Sequence, residues 1–386
     1  MGVNSEKFVF GTLKKGKRNL ITDVPGVKVG HVTLSDGEIQ TGVTAVIPGE
    51  GSAFRSKFPA AVHVINGFGK SAGLVQIEEL GTLETPILMT NTLSVAACLD
   101  GLLTYMLEDH PEIGVTTGTV NCVVTECNDG VLNDIRGRHV KPEHALQALA
   151  AASEDFAEGA VGAGRGMKNY GWKGGIGSAS RIVSFDGKEY TVGALLLTNF
   201  GKKPHLTICG RHIGEEGLRR EDLYPEGSDV EKVCGEDCSQ GRKDRAVQET
   251  AQGAAQNAAA AAAEDDSHLP YAERDKGSCI MLLATDLPLS SRQLKRCAHR
   301  AQNGLARTGS QTGGGSGEIV LMFSTANRIP HSSDTAVLTA EYLHEDKLDP
   351  VFAAVAEAVE ESVVSSMVHA EAVTGFMGHS LEALVK

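Results

Sequence analysis

The sequence predicts an α+β protein in which paired strands and helices form separate packed layers. Strand-like segments follow one another with glycine-containing turns between them, which favours a layered α+β fold over a wound βαβ sheet. The chain has 386 residues, of which 41% are hydrophobic. It can therefore bury a sizeable core, within one large domain or two ordinary ones.

The first half of the chain supplies most of the predicted strands. A helical patch covers residues 93–106, and a helix is predicted over 142–156, because Pro142 stands at its first turn and apolar residues recur at helical spacing. A glycine-dense passage follows at 159–181 and precedes the last two strands of this half. The predicted strands are VKVGHVTL, TGVTAVIP, AAVHVING, TPILMTN, SRIVSF and YTVGALLLTNF.

The character of the chain changes between about residues 210 and 276. This stretch is charged, low in complexity and poor in large apolar side chains, so it predicts an exposed, partly disordered insertion and not a domain. Regular patterning then returns. The predicted elements are a strand at 279–284, a helix at 291–307, a strand at 318–325 and a helix at 350–368.

Composition excludes several functional classes. The net charge of -13 argues against nucleic-acid binding, which needs a basic surface. No apolar run approaches the length of a membrane span, and the N-terminus lacks the apolar core of a secretory signal. The eight cysteines are scattered, as in a reducing compartment, so a cytoplasmic protein is expected.

The familiar site motifs are weak or missing in this sequence. CGEDC, at 234–238, is a poor metal signal without a second ligand pair. GAGRG, at 162–166, follows a predicted helix, whereas a dinucleotide-binding fingerprint directly follows a strand. No zinc-protease motif or nucleophile elbow is present, and GGGSGE precedes a strand. We therefore expect no metal and no organic cofactor.

The dipeptide Gly277-Ser278 stands at the start of a predicted strand, directly after the charged, low-complexity insertion. An N-terminal nucleophile hydrolase needs a serine, threonine or cysteine in this position, because its freed α-amine, with a pKa of about 8, acts as the general base. An internal serine acquires that amine only after the bond before it is cut. The alternative is a common strand-entry turn, and the dipeptide alone does not choose between the two.

Seven longer motifs run from about residue 20 to residue 327: ITDVPGVKVGH, LETPILMTNTLSV, ECNDGVLNDIRG, GWKGGIGSASR, VGALLLTNFG, GSCIMLLATDLPLSSRQLKRCAHRAQNGLARTG and SGEIVLMFSTAN. In sequence and in order they resemble the DmpA/BapA family of self-processing aminopeptidases, which includes L-aminopeptidase/D-esterases and β-peptidyl aminopeptidases. Only the insertion and the far C-terminus fall outside the resemblance.

The resemblance implies that Ser278 is the nucleophile and that the Gly277-Ser278 bond is cut by the protein itself, giving chains 1–277 and 278–386. It also implies that Ser316 and Glu318 contact the nucleophile and its amine. A hydroxyl and a carboxylate two residues apart at a strand entrance can point the same way, although a solvated edge residue is the alternative for Glu318.

Three further positions take roles from the resemblance. Asn199 would donate its side-chain amide to an oxyanion; the alternative is a turn residue. Glu126 would line the substrate site and meet the ammonium group of the substrate; the alternative is an exposed loop carboxylate. Asn128 stands where some members carry tyrosine, which leaves that substrate contact open.

The resemblance thus implies a four-layer αββα sandwich of the type shared with ornithine acetyltransferases. The expected activity is the removal of N-terminal residues from short peptides, amides or esters, by a homo-oligomer of processed heterodimers. Two alternatives remain: acyl transfer of the ornithine-acetyltransferase kind, whose nucleophile is threonine, and an uncleaved homologue that acts as a binding protein. Serine at position 278 favours the peptidase.

Overall fold

The computed structural model describes residues 8–214, 216–223 and 277–386. Its strands are β1 (Lys28–Asp36), β2 (Ile39–Ile47), β3 (Ser56–Gly67), β4 (Thr82–Leu83), β5 (Ile87–Asn91), β6 (Val123–Cys127), β7 (Lys168–Asn169), β8 (Trp172–Lys173), β9 (Ile176–Phe185), β10 (Lys188–Asn199), β11 (Thr207–Ile208), β12 (Arg211–His212), β13 (Ser278–Thr285), β14 (Gly317–Ser324), β15 (Ile329–Pro330), β16 (Val373–Thr374) and β17 (Ser380–Leu381). Its helices are α1 (Leu74–Leu80), α2 (Val95–Asp109), α3 (Pro142–Ala150), α4 (Arg220–Leu223), α5 (Ser291–Ala298), α6 (Ala301–Arg307) and α7 (Asp349–Val368).

Two main sheets organise the described chain. The smaller has the strand order β1-β2-β5-β6, and the larger has the order β15-β3-β14-β13-β10-β9, with β4 paired to β3. Most neighbouring strands are antiparallel, but β13 and β14 run parallel at the centre of the larger sheet. β13 has a neighbouring strand on each side and a packed layer on each face. All of its residues are therefore buried, and its sequence is an almost continuous apolar run.

Side-chain alternation along the strands separates the three main clusters of the core and defines four layers. Ile280 and Leu282 of β13 pack between the sheets against Val46 and Met89. The intervening residues of β13 face the other way, towards α5, α6 and α7. On the far side, α2 and α3 cover the outer face of the smaller sheet. The order is helix, sheet, sheet, helix, so the predicted αββα sandwich is confirmed.

The predicted strands are confirmed, whereas two predicted helices differ from the structure. The helix expected over 142–156 ends at Ala150, because the backbone of Ser153 pairs with Val29 at the edge of β1. The helix expected over 291–307 is divided into α5 and α6 around residues 299–300. Its apolar face is as expected, since Leu294 and Leu305 are both fully buried.

The packed structure continues beyond residue 210, where the insertion was predicted to begin. Leu218 and Leu223 are buried in the core on the helix side of the larger sheet. The remainder of the predicted insertion, at 224–276, lies outside the described residues, and so does the CGEDC motif. Within the described ranges, no helix is both long enough and apolar enough to span a bilayer.

Candidate active site

The site is built around the first residue of β13. Antiparallel pairing with β10 sets Ser278 opposite Asn199, and parallel pairing with β14 sets it opposite Gly317. Residues that are far apart in sequence therefore meet at one end of three adjacent strands. The alternation along β13 gives Ser278 the same orientation as Ile280, which faces the space between the sheets.

The carbonyl group of Gly277 receives two hydrogen bonds. The hydroxyl of Ser278 donates to its oxygen over 2.8 Å, and the backbone N–H of Gly317 donates to the same oxygen over 3.1 Å. Two donors polarise the carbonyl and would stabilise negative charge on its oxygen. The carbonyl that the predicted cleavage must attack is therefore already activated.

Glycine is required on both sides of this contact. A Cβ atom on Gly277 would lie 2.5 Å from the Cα of Phe200, so no side chain fits there. A Cβ atom on Gly317 would lie 2.8 Å from the carbonyl oxygen of Phe68 and 3.2 Å from Oγ of Ser278. The close approach of these backbones brings the N–H of Gly317 within reach of the Gly277 carbonyl.

Ser316 and Glu318 are both fully buried, and the hydroxyl of Ser316 donates to the carboxylate of Glu318. The loop before β14 is fastened to the end of β3. The side-chain amide of Asn66 donates to the carbonyls of Gly313 and Ser316, and the N–H of Phe68 donates to Ser316 over 3.2 Å. Burial excludes the solvated-edge interpretation of Glu318.

The side-chain amide of Asn199 is held in one orientation. Its oxygen accepts a hydrogen bond from the N–H of Lys168 over 2.9 Å, and its Nδ2 donates to the carbonyl of Asn128 over 2.9 Å. An amide nitrogen carries two hydrogens, so the group has a second N–H to donate. This geometry suits an oxyanion donor better than a simple turn residue.

Glu126 is the second-last residue of β6, and its side chain is only 3% exposed. It is therefore not an exposed loop carboxylate. Its oxygens accept hydrogen bonds from the N–H of Lys70, over 2.7 Å, and from the hydroxyl of Thr92. A Cβ atom on Gly69 would lie 3.6 Å from Glu126 and 3.4 Å from Ile319, which follows Glu318. Glu126 is therefore close to the start of β14.

Asn128 contributes differently from Glu126. Its side chain is exposed, and its oxygen accepts the N–H of Gly130 over 2.8 Å. The contact with the rest of the site is made by its backbone carbonyl, which receives the amide of Asn199. A substrate contact of the Asn128 side chain thus stays a prediction.

The two cysteines of the site are poor competitors for the role of nucleophile. Burial raises the pKa of the Cys127 thiol, and that of the Cys279 thiol, well above the ordinary value. Both thiols therefore stay protonated near neutral pH, and the thiol form is a weak nucleophile. Ser278, with its hydroxyl beside the activated carbonyl, is the better candidate.

The structure thus gathers Ser278, Asn199, Ser316 and Glu318 around the end of β13, with Glu126 adjoining. Sequence reasoning missed the N–H of Gly317, the amide of Asn66 and the two donors to Glu126. Backbone donors leave no signature in a sequence. The segment INGFGK at 65–70, where glycines alternate with large side chains, was the available signal for Asn66.

Comparisons with known proteins show the family of the chain. The Peptidase family S58 model matches residues 19–381. The β-peptidyl aminopeptidase BapA of Sphingosinicella microcystinivorans is 38% identical over 382 residues, which cover 96% of this chain and 86% of that protein.

Two solved structures are also similar over almost their whole length. The PH0078 protein from Pyrococcus horikoshii OT3 has a TM-score of 0.81 and 45% identity, covering 98% of this chain and 94% of that one. The L-aminopeptidase D-Ala-esterase/amidase of Ochrobactrum anthropi, described as a variant of the Ntn-hydrolase fold, has a TM-score of 0.77 and 31% identity, covering 97% and 93%.

The family match and the relatives show a peptide-bond hydrolase with the Ntn-hydrolase fold. The chain belongs to Peptidase family S58 and is an aminopeptidase.

Proposed function

We propose that the chain cuts itself between Gly277 and Ser278 and that the processed protein is a serine aminopeptidase with Ser278 as nucleophile. The observation that carries this proposal is the doubly hydrogen-bonded carbonyl of Gly277, with the Ser278 hydroxyl 2.8 Å from its oxygen. An ordinary strand-entry turn needs neither the second donor nor the two glycines that admit it.

Self-cleavage proceeds in two steps. Oγ of Ser278 attacks the carbonyl carbon of Gly277 while the N–H of Gly317 holds the developing oxyanion. The C–N bond breaks, the hydroxyl proton passes by way of the Glu318 carboxylate to the departing nitrogen, and an ester joins Gly277 to Ser278. Water then hydrolyses this ester, leaving a carboxylate on Gly277 and a free hydroxyl and α-amine on Ser278.

The freed amine serves as general base for the substrate reaction. It takes the proton of Oγ as this atom attacks the first carbonyl of the substrate, and the amide of Asn199 donates to the oxyanion. Collapse breaks the C–N bond, and the ammonium group returns the proton to the leaving amine. Water then hydrolyses the acyl-enzyme. The Ser316–Glu318 pair, buried beside Gly317, holds the amine and passes protons.

The substrates we infer are short peptides, amino-acid amides and esters. Glu126 offers a buried carboxylate to the ammonium group at the substrate N-terminus, which makes the enzyme an exopeptidase. The names of the relatives, which include a β-peptidyl aminopeptidase and an L-aminopeptidase D-Ala-esterase/amidase, support the same substrate range.

We also infer a cytoplasmic homo-oligomer of processed heterodimers. The six cysteines in the described ranges are free, which suits a reducing compartment. Exposed apolar side chains at Val64, Val75 and Leu80 provide a surface that a second copy can cover. Light scattering on the purified protein measures its oligomeric state.

Denaturing electrophoresis and intact mass test the central proposal. The wild type is expected to give two chains, 1–277 and 278–386, and Ser278→Ala a single chain of 40.6 kDa without amidase activity. The loss should be complete, because the variant has neither a nucleophile nor a freed amine. An uncut wild-type chain that hydrolyses amino-acid amides would contradict the mechanism.

A further inference from the structure

We propose that Lys70 is a specificity-determining residue that binds the C-terminal carboxylate of a dipeptide substrate. The enzyme would then favour free dipeptides over their C-terminal amides and over longer peptides. This inference rests on the proposed function, since it needs a substrate whose ammonium group is at Glu126 and whose scissile carbonyl is at Ser278.

The segment 67–70 connects the two ends of the site. At one end, Gly67 pairs with Gly317 and the N–H of Phe68 donates to Ser316. At the other end, the N–H of Lys70 donates to Glu126 over 2.7 Å. The segment therefore runs alongside a substrate that extends from the carboxylate to the nucleophile.

The ammonium group of Lys70 lies over an aromatic ring beside the site. Its Nζ lies 4.2 Å from the centroid of the Phe68 ring, and both side chains are exposed. No carboxylate in the described part of the chain lies within salt-bridge distance of it. An aromatic ring holds a cation without neutralising it, so the charge can still bind an anion.

Several other lysines of this acidic protein do pair with carboxylates. Carboxylates pair with Lys14, Lys15, Lys57 and Lys295. Lys70 lies beside the proposed peptidase site, and its charge is not paired with a described carboxylate of the protein. Such a cation can bind the C-terminal carboxylate, which free peptides carry and peptide amides lack.

The dimensions fit a dipeptide. Two extended residues span at most about 7 Å, which is also roughly the extent of one lysine residue from its backbone N to its Nζ. Glu126 accepts from the backbone N–H of Lys70, so a Lys70 side chain that extends along the substrate would place its ammonium group about one dipeptide length from the carboxylate. In a longer peptide the carboxylate lies beyond this reach.

The test compares alanyl-glycine with alanyl-glycinamide, using the wild type, Lys70→Met and Lys70→Arg. We expect Lys70→Met to lower kcat/KM for the dipeptide about three- to tenfold, through KM, and to leave the amide within about twofold. Lys70→Arg should retain the preference. All three proteins should process normally, which intact mass checks.

Lys188→Met is the matched control, because Lys188 also lies over an aromatic ring, 4.7 Å from that of Tyr190, at the opposite end of β10 from Asn199. An unchanged dipeptide-to-amide ratio in Lys70→Met overturns the inference, and so does an equal change in both methionine variants. If the processed wild type hydrolyses neither substrate, the proposed function fails instead.

Discussion

Two buried polar clusters of this protein use similar carboxylates for different purposes. Under α7, the fully buried Arg181 contacts Glu357 over 3.0 Å and Glu361 over 2.8 Å. At the end of β13, the carboxylate of Glu318 accepts the hydroxyl of Ser316, and Glu126 accepts a backbone N–H and a hydroxyl. The first cluster is an ion pair, whereas the hydrogen bonds described for the second come from neutral donors.

The difference shows which cluster serves stability and which serves chemistry. A buried carboxylate paired with arginine is fixed in charge and position, and Glu357 additionally accepts the N–H groups of Thr12 and Leu13, which anchors the N-terminal segment. A carboxylate held by hydroxyl and amide groups can exchange a proton with a nearby amine. Substitutions in the two clusters should therefore separate activity from stability.

The largest expected effect comes from Glu318→Gln. The change keeps the shape of the side chain but removes its ability to take a proton, so self-cleavage and amide hydrolysis should each slow about 10²- to 10⁴-fold. Processing rates by mass spectrometry and kcat on an amino-acid amide measure this. The midpoint of urea unfolding should change little.

Glu158→Gln is the matched control, because Glu158 is also buried and accepts a serine hydroxyl, that of Ser365, over 2.6 Å. Glu158 belongs to the groups that hold α7, because Ser365 lies in that helix. Equal losses of rate in both variants would mean that any buried carboxylate–serine pair supports activity indirectly.

Arg181→Met should show the opposite behaviour. It leaves the charge of Glu357 buried without its cation, whereas Glu361 keeps its contact with Lys15 over 2.7 Å. Removal of one partner of a buried ion pair typically costs about 3–5 kcal/mol in the free energy of unfolding. Urea titration measures the loss, and activity per folded molecule should persist. Lys14→Met, in an exposed pair with Glu189, should change stability by no more than about 0.5 kcal/mol. Similar losses in the two variants would refute the contrast.

A further prediction concerns the pH dependence of stability and rests on Asp129, which follows Asn128. Burial raises the pKa of its carboxyl from 3.8 to about 7, against hydrogen bonds that lower it. The folded state therefore holds its proton more tightly than the unfolded state. Asp129 should make stability fall as pH rises from about 4 to about 7, by at most about 1.4 kcal/mol per pH unit, with no further loss above that range.

Asp129→Asn should remove this contribution while keeping an oxygen for the Nδ2 of Asn133, which donates to Asp129 over 3.0 Å. The unfolding free energy of the variant should therefore depend less on pH between 4 and 7. Urea titrations at several pH values measure the slope, and an identical slope in wild type and variant would count against a buried, proton-holding Asp129.

The strands were predictable because their patterns are local. Alternating or continuous apolar runs bounded by glycine mark β1, β2, β3, β10, β13 and β14 in the sequence. Helix ends were harder, as the pairing of Ser153 with Val29 illustrates, since a contact between distant residues overrode the helical pattern. The position of the packed residues near Leu218 depended likewise on tertiary contacts.

The candidate residues of the site came from family-like motifs, but their arrangement did not. The sequence by itself determined the apolar strands, the absence of familiar metal and nucleotide motifs, and a serine at a strand entrance. Only the tertiary structure decided that Gly317 lends an N–H to the Gly277 carbonyl, because strand register and backbone contact distances are set by the packing of the whole sheet.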